Sequence, residues 1–233
     1  MRQLRPAAAR GHADHGWLEA RHSFSFADYY DPAEMGWSAL RVINEDRVAP
    51  GAGFPLHGHR DMEIITWILS GSLAHRDSLG NGGLIRPGEF QFMRAGSGIR
   101  HSEMNPSPDT PVHLLQIWIA PSRSGLAPAY QQRQLDPAEL ANRLALLASP
   151  DGRDGSVALA QDASVYAARL AADAELDIAL QPGRAAYLHL AYGKLTVDGQ
   201  PLQAGDGLKL HDETRLALRA DAASEFLLFD LPG

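Results

Sequence analysis

Two pairs of side chains, each placed to share one face of a strand, constrain this chain more than any other feature. His57 and His59 open the segment HGHRDMEIITWILSG, and His101 and Glu103 close the segment GEFQFMRAGSGIRHSE. In extended backbone, side chains alternate between faces, so residues i and i+2 project from the same side. If the two segments lie opposite each other in a small barrel, three imidazoles and one carboxylate converge on one interior point. Three nitrogens and one oxygen suit a divalent transition ion such as iron, nickel, cobalt, copper, manganese or zinc better than magnesium or calcium. Glu63 has the strand parity of His57 and His59 and could also reach the interior. A further ligand would begin to close an octahedral shell, so Glu103 is the expected carboxylate ligand. Glu63 is expected beside the site, holding an imidazole.

The surrounding pattern is that of short strands. Leu40 to Asn44 reads as a strand, and Pro50 to Pro55, with Gly51 and Gly53, reads as a loop leading into the first pair. Ile64 to Leu69 is β-branched or apolar at every position, the pattern of a strand buried on both faces. His75, between Ala74 and Arg76, reads as a partly exposed strand residue. Phe90 and Phe92 share one face of the next strand and Gln91 and Met93 the other, and one of these sets should line a pocket. Ala95-Gly96-Ser97-Gly98 reads as a tight turn that aims His101 and Glu103 inward, and no lysine follows the glycines as a phosphate loop would require. In the closing strand Val112 to Ile119, Leu114, Gln116 and Trp118 share a face, and Gln116 is a candidate polar pocket residue. His12, His15 and His22 follow no ligand spacing and read as structural or surface residues, with Ser23 to Phe26 as part of an edge strand.

Composition narrows the chemistry. The chain has no cysteine, which removes disulfides, zinc–thiolate sites and thiol nucleophiles together, so any metal must rest on histidine and carboxylate. The formal charge of −7, with lysines and arginines scattered, lacks the basic footprint of a nucleic-acid surface. The N-terminus carries no continuous apolar leader and no segment is long enough to span a bilayer, so a cytoplasmic protein is expected.

The residues HGWLEARHSFSFADYYDP from His15, LRVINEDRVAPGAGFPLHGHRDMEIITWILSG from Leu40 and RPGEFQFMRAGSGIRHSEMNPS from Arg86 resemble the pirin family of the cupin superfamily. The resemblance runs on through HLLQIWIAP to the terminal EFLLFDLPG and is greatest toward bacterial pirin-like proteins with quercetin 2,3-dioxygenase activity. It implies that His57, His59, His101 and Glu103 are the metal ligands. The one departure is Ala95, where the general cupin pattern has proline between the glycines of its second motif.

The second half reads as a worn copy of the first. Gly71-Ser72-Leu73 and Pro87-Gly88-Glu89 have counterparts in Gly193-Lys194-Leu195 and Ala204-Gly205-Asp206. Stepping from these glycines by the spacings of the first half lands on Ala179, Gln181, Leu218 and Ala220, none of them a usual ligand, while His189 and His211 are unpaired. The C-terminal barrel is therefore expected to be structural. Between the halves, Asp136, Pro137 and Glu139 make a helix start, and Leu140, Leu144 and Leu147 fall on one helical stripe running to Ala148.

The expected fold is an all-β bicupin: two antiparallel, jelly-roll-like barrels packed face to face with a short connecting helix. The expected divisions are a metal-binding barrel over residues 1–133, a linker over 134–155 and a metal-free barrel over 156–233. The resemblance implies a dioxygenase that opens a flavonol ring with dioxygen and releases carbon monoxide, using one divalent ion, Fe(II) first. Glu103 would serve both as ligand and as base. The same ligand set also suits a metal-loaded regulatory or sensor protein acting through protein partners.

Overall fold

The structure, a computed structural model, describes residues 1–233. It divides into two compact units: Gly11–Gly36 with Leu40–Leu135, and Met1–Arg10 with Trp37–Ala39 and Asp136–Gly233. No helix is long and apolar enough to cross a membrane.

The unit that carries the ligand pairs is a nine-stranded antiparallel sheet. Its order is Gly11–Asp14, Leu18–His22, Leu40–Val48, Val112–Ile119, Gly53–Ser70, Glu89–Met104, Leu73–Asp77 and Gly82–Ile85, with Ala129–Gln134 added along Glu89–Met104. The long strands Gly53–Ser70 and Glu89–Met104 pair over most of their length, and every residue from Glu63 to Ile68 is buried. An apolar cluster of Leu18, Ala20, Val48, Ile68, Leu73 and Leu114 fills one end of the interior. Ile64, Met93 and Ile99 fill another part. Gln91 and Met93 lie across from Thr66 and Ile64 and share their interior face. Neither set of that strand lines the cavity described below.

The other unit has a seven-stranded and a four-stranded sheet around a core of Leu188, Leu190, Leu208, Leu218, Phe226 and Leu228. All its pairings are antiparallel except a two-residue match of Ala148 and Ser149 with Val157 and Ala158 and an isolated bridge between Ala141 and Arg169. Leu218 and Ala220, which correspond to a ligand pair in the first half, belong to this core. The internal repeat is visible in backbone conformation. Gly71 (φ 76°) and Gly193 (φ 88°) each precede a strand, and a Cβ at either would collide with the backbone of a neighbouring strand at Val112 or Ser224.

Two expectations about the chain's divisions change. Arg2–Arg5 pairs with Gly207–Leu210, so the first ten residues belong with the C-terminal half and not with the barrel expected over residues 1–133. The helix begins as expected: Asp136 accepts from the Ala138 amide, and Glu139 accepts from the Asp136 amide. It lasts only from Pro137 to Leu140. Asn142 takes φ 53° and is tied to the end of a strand through the Arg169 carbonyl and the Ala171 amide. Ala145–Ser149 then runs as a strand beside Ser164–Leu170. The apolar run Leu144 to Ala148 suits either period, and the free edge of a sheet decides between them.

Candidate metal centre

Register brings the two pairs together. His57 is the cross-strand partner of His101, and the rings of His57, His59 and His101 lie with centroids 4.4–4.9 Å apart. One donor nitrogen from each of the three falls within 4.8 Å of the others. Burial drives the pKa of His101 down to about 2 and that of His59 to about 4, helped by neighbouring imidazoles, so both rings are neutral at pH 7.

Hydrogen bonding suits these rings to an ion. His57 Nδ1 lies 2.8 Å from the Pro55 carbonyl oxygen and donates to it, which leaves the Nε2 lone pair free. His101 Nε2 is buried without a hydrogen-bond partner, while its Nδ1 faces His75 Nδ1 at 3.4 Å. Neutral, unpartnered imidazole nitrogens in convergent array are what a divalent transition ion completes.

Glu103 is buried beside them, and burial pushes its pKa up. Gln116 Nε2 donates to both carboxylate oxygens, at 3.1 and 3.2 Å, and Thr66 Oγ1 donates to one at 3.4 Å. Gln116 is thus a polar residue of the pocket, as its strand parity allowed. The donor atoms of Glu103 group with those of His101 and His75 within 4.8 Å, whereas the three-imidazole group does not include Glu103.

Glu63 is elsewhere. Between His59 and Asp61 the register shifts by one residue, and Asp61 takes φ 63°, which breaks the alternation. Beyond it the interior face is that of Ile64, Thr66 and Ile68, and Glu63 accepts from Arg94 Nε at 2.9 Å on the opposite face. The expected turn at Ala95–Gly98 is this same irregularity, a bulge inside the continuous strand Glu89–Met104. Loop residues brace it: the Gly125 amide donates to Asp61 and the Ser97 amide to the Leu126 carbonyl, both at 2.7 Å. At Gly96 (φ 51°) a Cβ would collide with that carbonyl.

His75 also departs from expectation. It is 1% exposed, stacks on Tyr130 at 4.8 Å, and its Nε2 lies 3.5 Å from Asp77 Oδ2. Asp77 is held by the amides of Leu79 and Asn81 and by the Asn81 side chain. His75 and Asp77 form a same-face pair of the kind that marked the ligands, which is the signal that could have found them. His12, by contrast, sits on the surface near Glu19, and His22 Nδ1 lies 2.8 Å from Asn44 Oδ1.

The imidazoles open on a cavity of about 210 Å³ in the same unit. Leu18, Ala20, Phe26, Phe54 and Trp118 form its apolar walls, and His22, Asn44, Asp46 and Gln116 its polar positions. Asp46 escaped sequence reading, although the alternate residues Leu40, Val42, Asn44, Asp46 and Val48 place two polar side chains on an otherwise apolar face. Burial, and then the charges of Glu103 and Glu45, push its pKa up to about 8.

The fold and site together define a bicupin with a histidine-rich centre in its N-terminal half. The chain belongs to the pirin family: residues 3–119 match the family model described as Pirin, and residues 146–231 match that of the quercetinase C-terminal cupin domain. It is 47% identical over 232 residues to the quercetin 2,3-dioxygenase of Escherichia coli K12, covering 100% of this chain and 99% of that one. It is 43% identical over 231 residues to a pirin-like protein of Caulobacter vibrioides, covering 99% of each. Among solved structures, bacterial pirin YhhW from Escherichia coli in complex with nickel(II) superposes with a TM-score of 0.94 at 46% identity, covering 100% of this chain and 99% of that one.

Proposed function

We propose that this chain is a metal-dependent dioxygenase in which His57, His59, His101 and Glu103 hold one divalent transition ion, and that it cleaves a quercetin-like flavonol with dioxygen and release of carbon monoxide. The observation that carries this reading is the convergence of three imidazole nitrogens at the edge of a cavity walled by Phe26, Phe54 and Trp118. Such walls suit a flat aromatic ligand. The names of the Escherichia coli relatives, a quercetin 2,3-dioxygenase and a pirin in complex with nickel(II), support the substrate class and the ion. We place Fe(II) first, with nickel, cobalt, copper, manganese or zinc as substitutes, since such ligands accept most first-row ions and loading follows availability.

When bound, the ion supplies Lewis acidity that favours the ionised form of an enolic hydroxyl. Glu103 takes the hydroxyl proton, and Gln116 and Thr66 hold its carboxylate in place. Phe54 and Trp118 exclude water from the ring face.

The test is anaerobic purification, reconstitution with Fe(II), nickel, cobalt or copper, and measurement of oxygen uptake and flavonol absorbance beside the His57→Ala and His101→Ala variants. Turnover that depends on metal and is lost in both variants is expected. Stoichiometric metal with no oxygen consumed under any reconstitution would overturn the enzyme reading in favour of a metal-loaded binding protein.

A further inference from the structure

Asp46 is a carboxyl that the reaction outlined above does not use. It lies in the strand Leu40–Val48, between Ala20 and Leu114 as cross-strand neighbours, and is 4% exposed. Its Oδ1 is buried without a hydrogen-bond partner. The side chain lines the cavity onto which His57 and His59 open. Two more polar atoms of that lining, Gln116 Oε1 and Trp118 Nε1, are likewise buried and unpartnered.

Buried polar groups are nearly always satisfied, and those left open in a native protein call for a water, an ion or a ligand. A buried carboxyl oxygen with no partner is costly to leave so. Its surroundings make packing a poor explanation, because Leu18, Ala20 and Leu114 would accept an aliphatic residue at this position. Of the polar side chains that line the cavity, His22 and Asn44 are paired with each other, whereas Asp46 keeps an oxygen with no partner.

We propose that Asp46 is a specificity-determining residue that hydrogen-bonds a ring hydroxyl of the aromatic ligand, one outside the 3-hydroxy-4-carbonyl unit that faces the imidazoles. The assignment rests on the flavonol reading of the site. A phenolic hydroxyl both donates and accepts, so it satisfies the carboxyl with or without its proton. A ligand lacking that hydroxyl would leave Asp46 buried and unpaired, and sites built around a hydrogen bond reject such analogues strongly. The pocket should therefore select polyhydroxylated flavonols over the bare 3-hydroxyflavone nucleus.

The experiment is equilibrium binding by nickel-loaded protein without oxygen, so that nothing turns over. The probes are 3-hydroxyflavone and flavonols bearing further hydroxyls on either ring. Wild-type protein is expected to bind the best hydroxylated flavonol at least about tenfold more tightly than 3-hydroxyflavone. Asp46→Leu and Asp46→Ala should shrink that ratio to about threefold or less, while Asp46→Asn, which keeps an acceptor and a donor, should retain more of it. Asp46→Leu should also raise the thermal midpoint of the metal-free protein, whereas loss of a merely structural carboxyl would lower it. A ratio unchanged in both Asp46→Leu and Asp46→Ala, or a lowered midpoint with both ligands weakened equally, would overturn the assignment and leave the flavonol reading standing. Nickel-loaded wild-type protein that binds no flavonol would overturn the flavonol reading, and the anchor with it.

Discussion

His101 Nδ1 lies 3.4 Å from His75 Nδ1, and on the far side of His75 its Nε2 lies 3.5 Å from Asp77 Oδ2. A carboxylate at that position favours one polarity for this chain of groups. With its proton on Nε2, toward Asp77, His75 would accept at Nδ1 from His101 and leave the His101 Nε2 lone pair for an ion. Carboxylate–histidine pairs behind a metal-ligating imidazole fix its tautomer and raise its basicity.

Removing this support should weaken metal binding without unfolding the barrel. His75→Phe is expected to lower nickel affinity by about 10- to 100-fold, whereas His75→Gln, whose amide oxygen can still accept from His101, should retain most of it. Competition against a chromophoric chelator measures this, with the thermal midpoint of each metal-free variant as the control. Equal affinity in His75→Phe and wild type would refute the relay.

The depressed pKa values of His59 and His101 carry a sign for stability. Both stay neutral in the folded state down to about pH 4 and about pH 2, while in the unfolded chain they take up protons near pH 6.5. Unfolding then binds protons, so the metal-free protein should lose stability as pH falls from 6.5 toward 4. Urea titrations at pH 7, 6 and 5 check this, and His101→Gln should show a shallower decline than wild type.

Asp46 should act in the opposite direction. Its folded pKa is raised to about 8 from an ordinary 3.8, so the unfolded state gives up its proton first as pH rises. Its contribution to stability is lost progressively between about pH 4 and pH 8. The stability gap between Asp46→Asn and wild type should therefore widen in the variant's favour from pH 5 to pH 8, as read by chemical denaturation of the metal-free forms. A gap that stays constant with pH would show that the carboxyl ionises normally.

Glu63 offers a contrast, because it is fully buried against Arg94 and off the imidazole face. Glu63→Leu takes the buried carboxylate away from the Arg94 guanidinium and should cost about 3 kcal/mol, a value at the low end for a broken buried pair since Arg94 is partly exposed. Nickel stoichiometry should stay at the wild-type value. Loss of the bound ion in a folded Glu63→Leu protein would return this residue to the ligand set.

Much of the site could be read from period alone. His57 with His59, His101 with Glu103, and Leu114 with Gln116 and Trp118 each lie within one short strand, where the alternation of side chains is a local property of extended backbone. The helix start at Asp136 was legible for the same reason, since its capping groups lie within four residues. The glycines of the repeat could be read because the hairpins they begin require a backbone that other residues resist.

What the sequence determined by itself was therefore the identity of the polar pairs and the strands that carry them. Tertiary structure decided which faces those strands share. The register shift after His59, braced by Gly125 and Leu126 from a distant loop, turned Glu63 away from the histidines. Pairing of Leu73–Asp77 with the end of Glu89–Met104 buried His75 behind His101, and pairing of Leu40–Val48 with Val112–Ile119 set Asp46 in the cavity wall. The strand Arg2–Arg5 joined residues some two hundred positions away. Each of these depends on which segment lies alongside which, and a one-residue change in that register exchanges the inside of a strand for its outside.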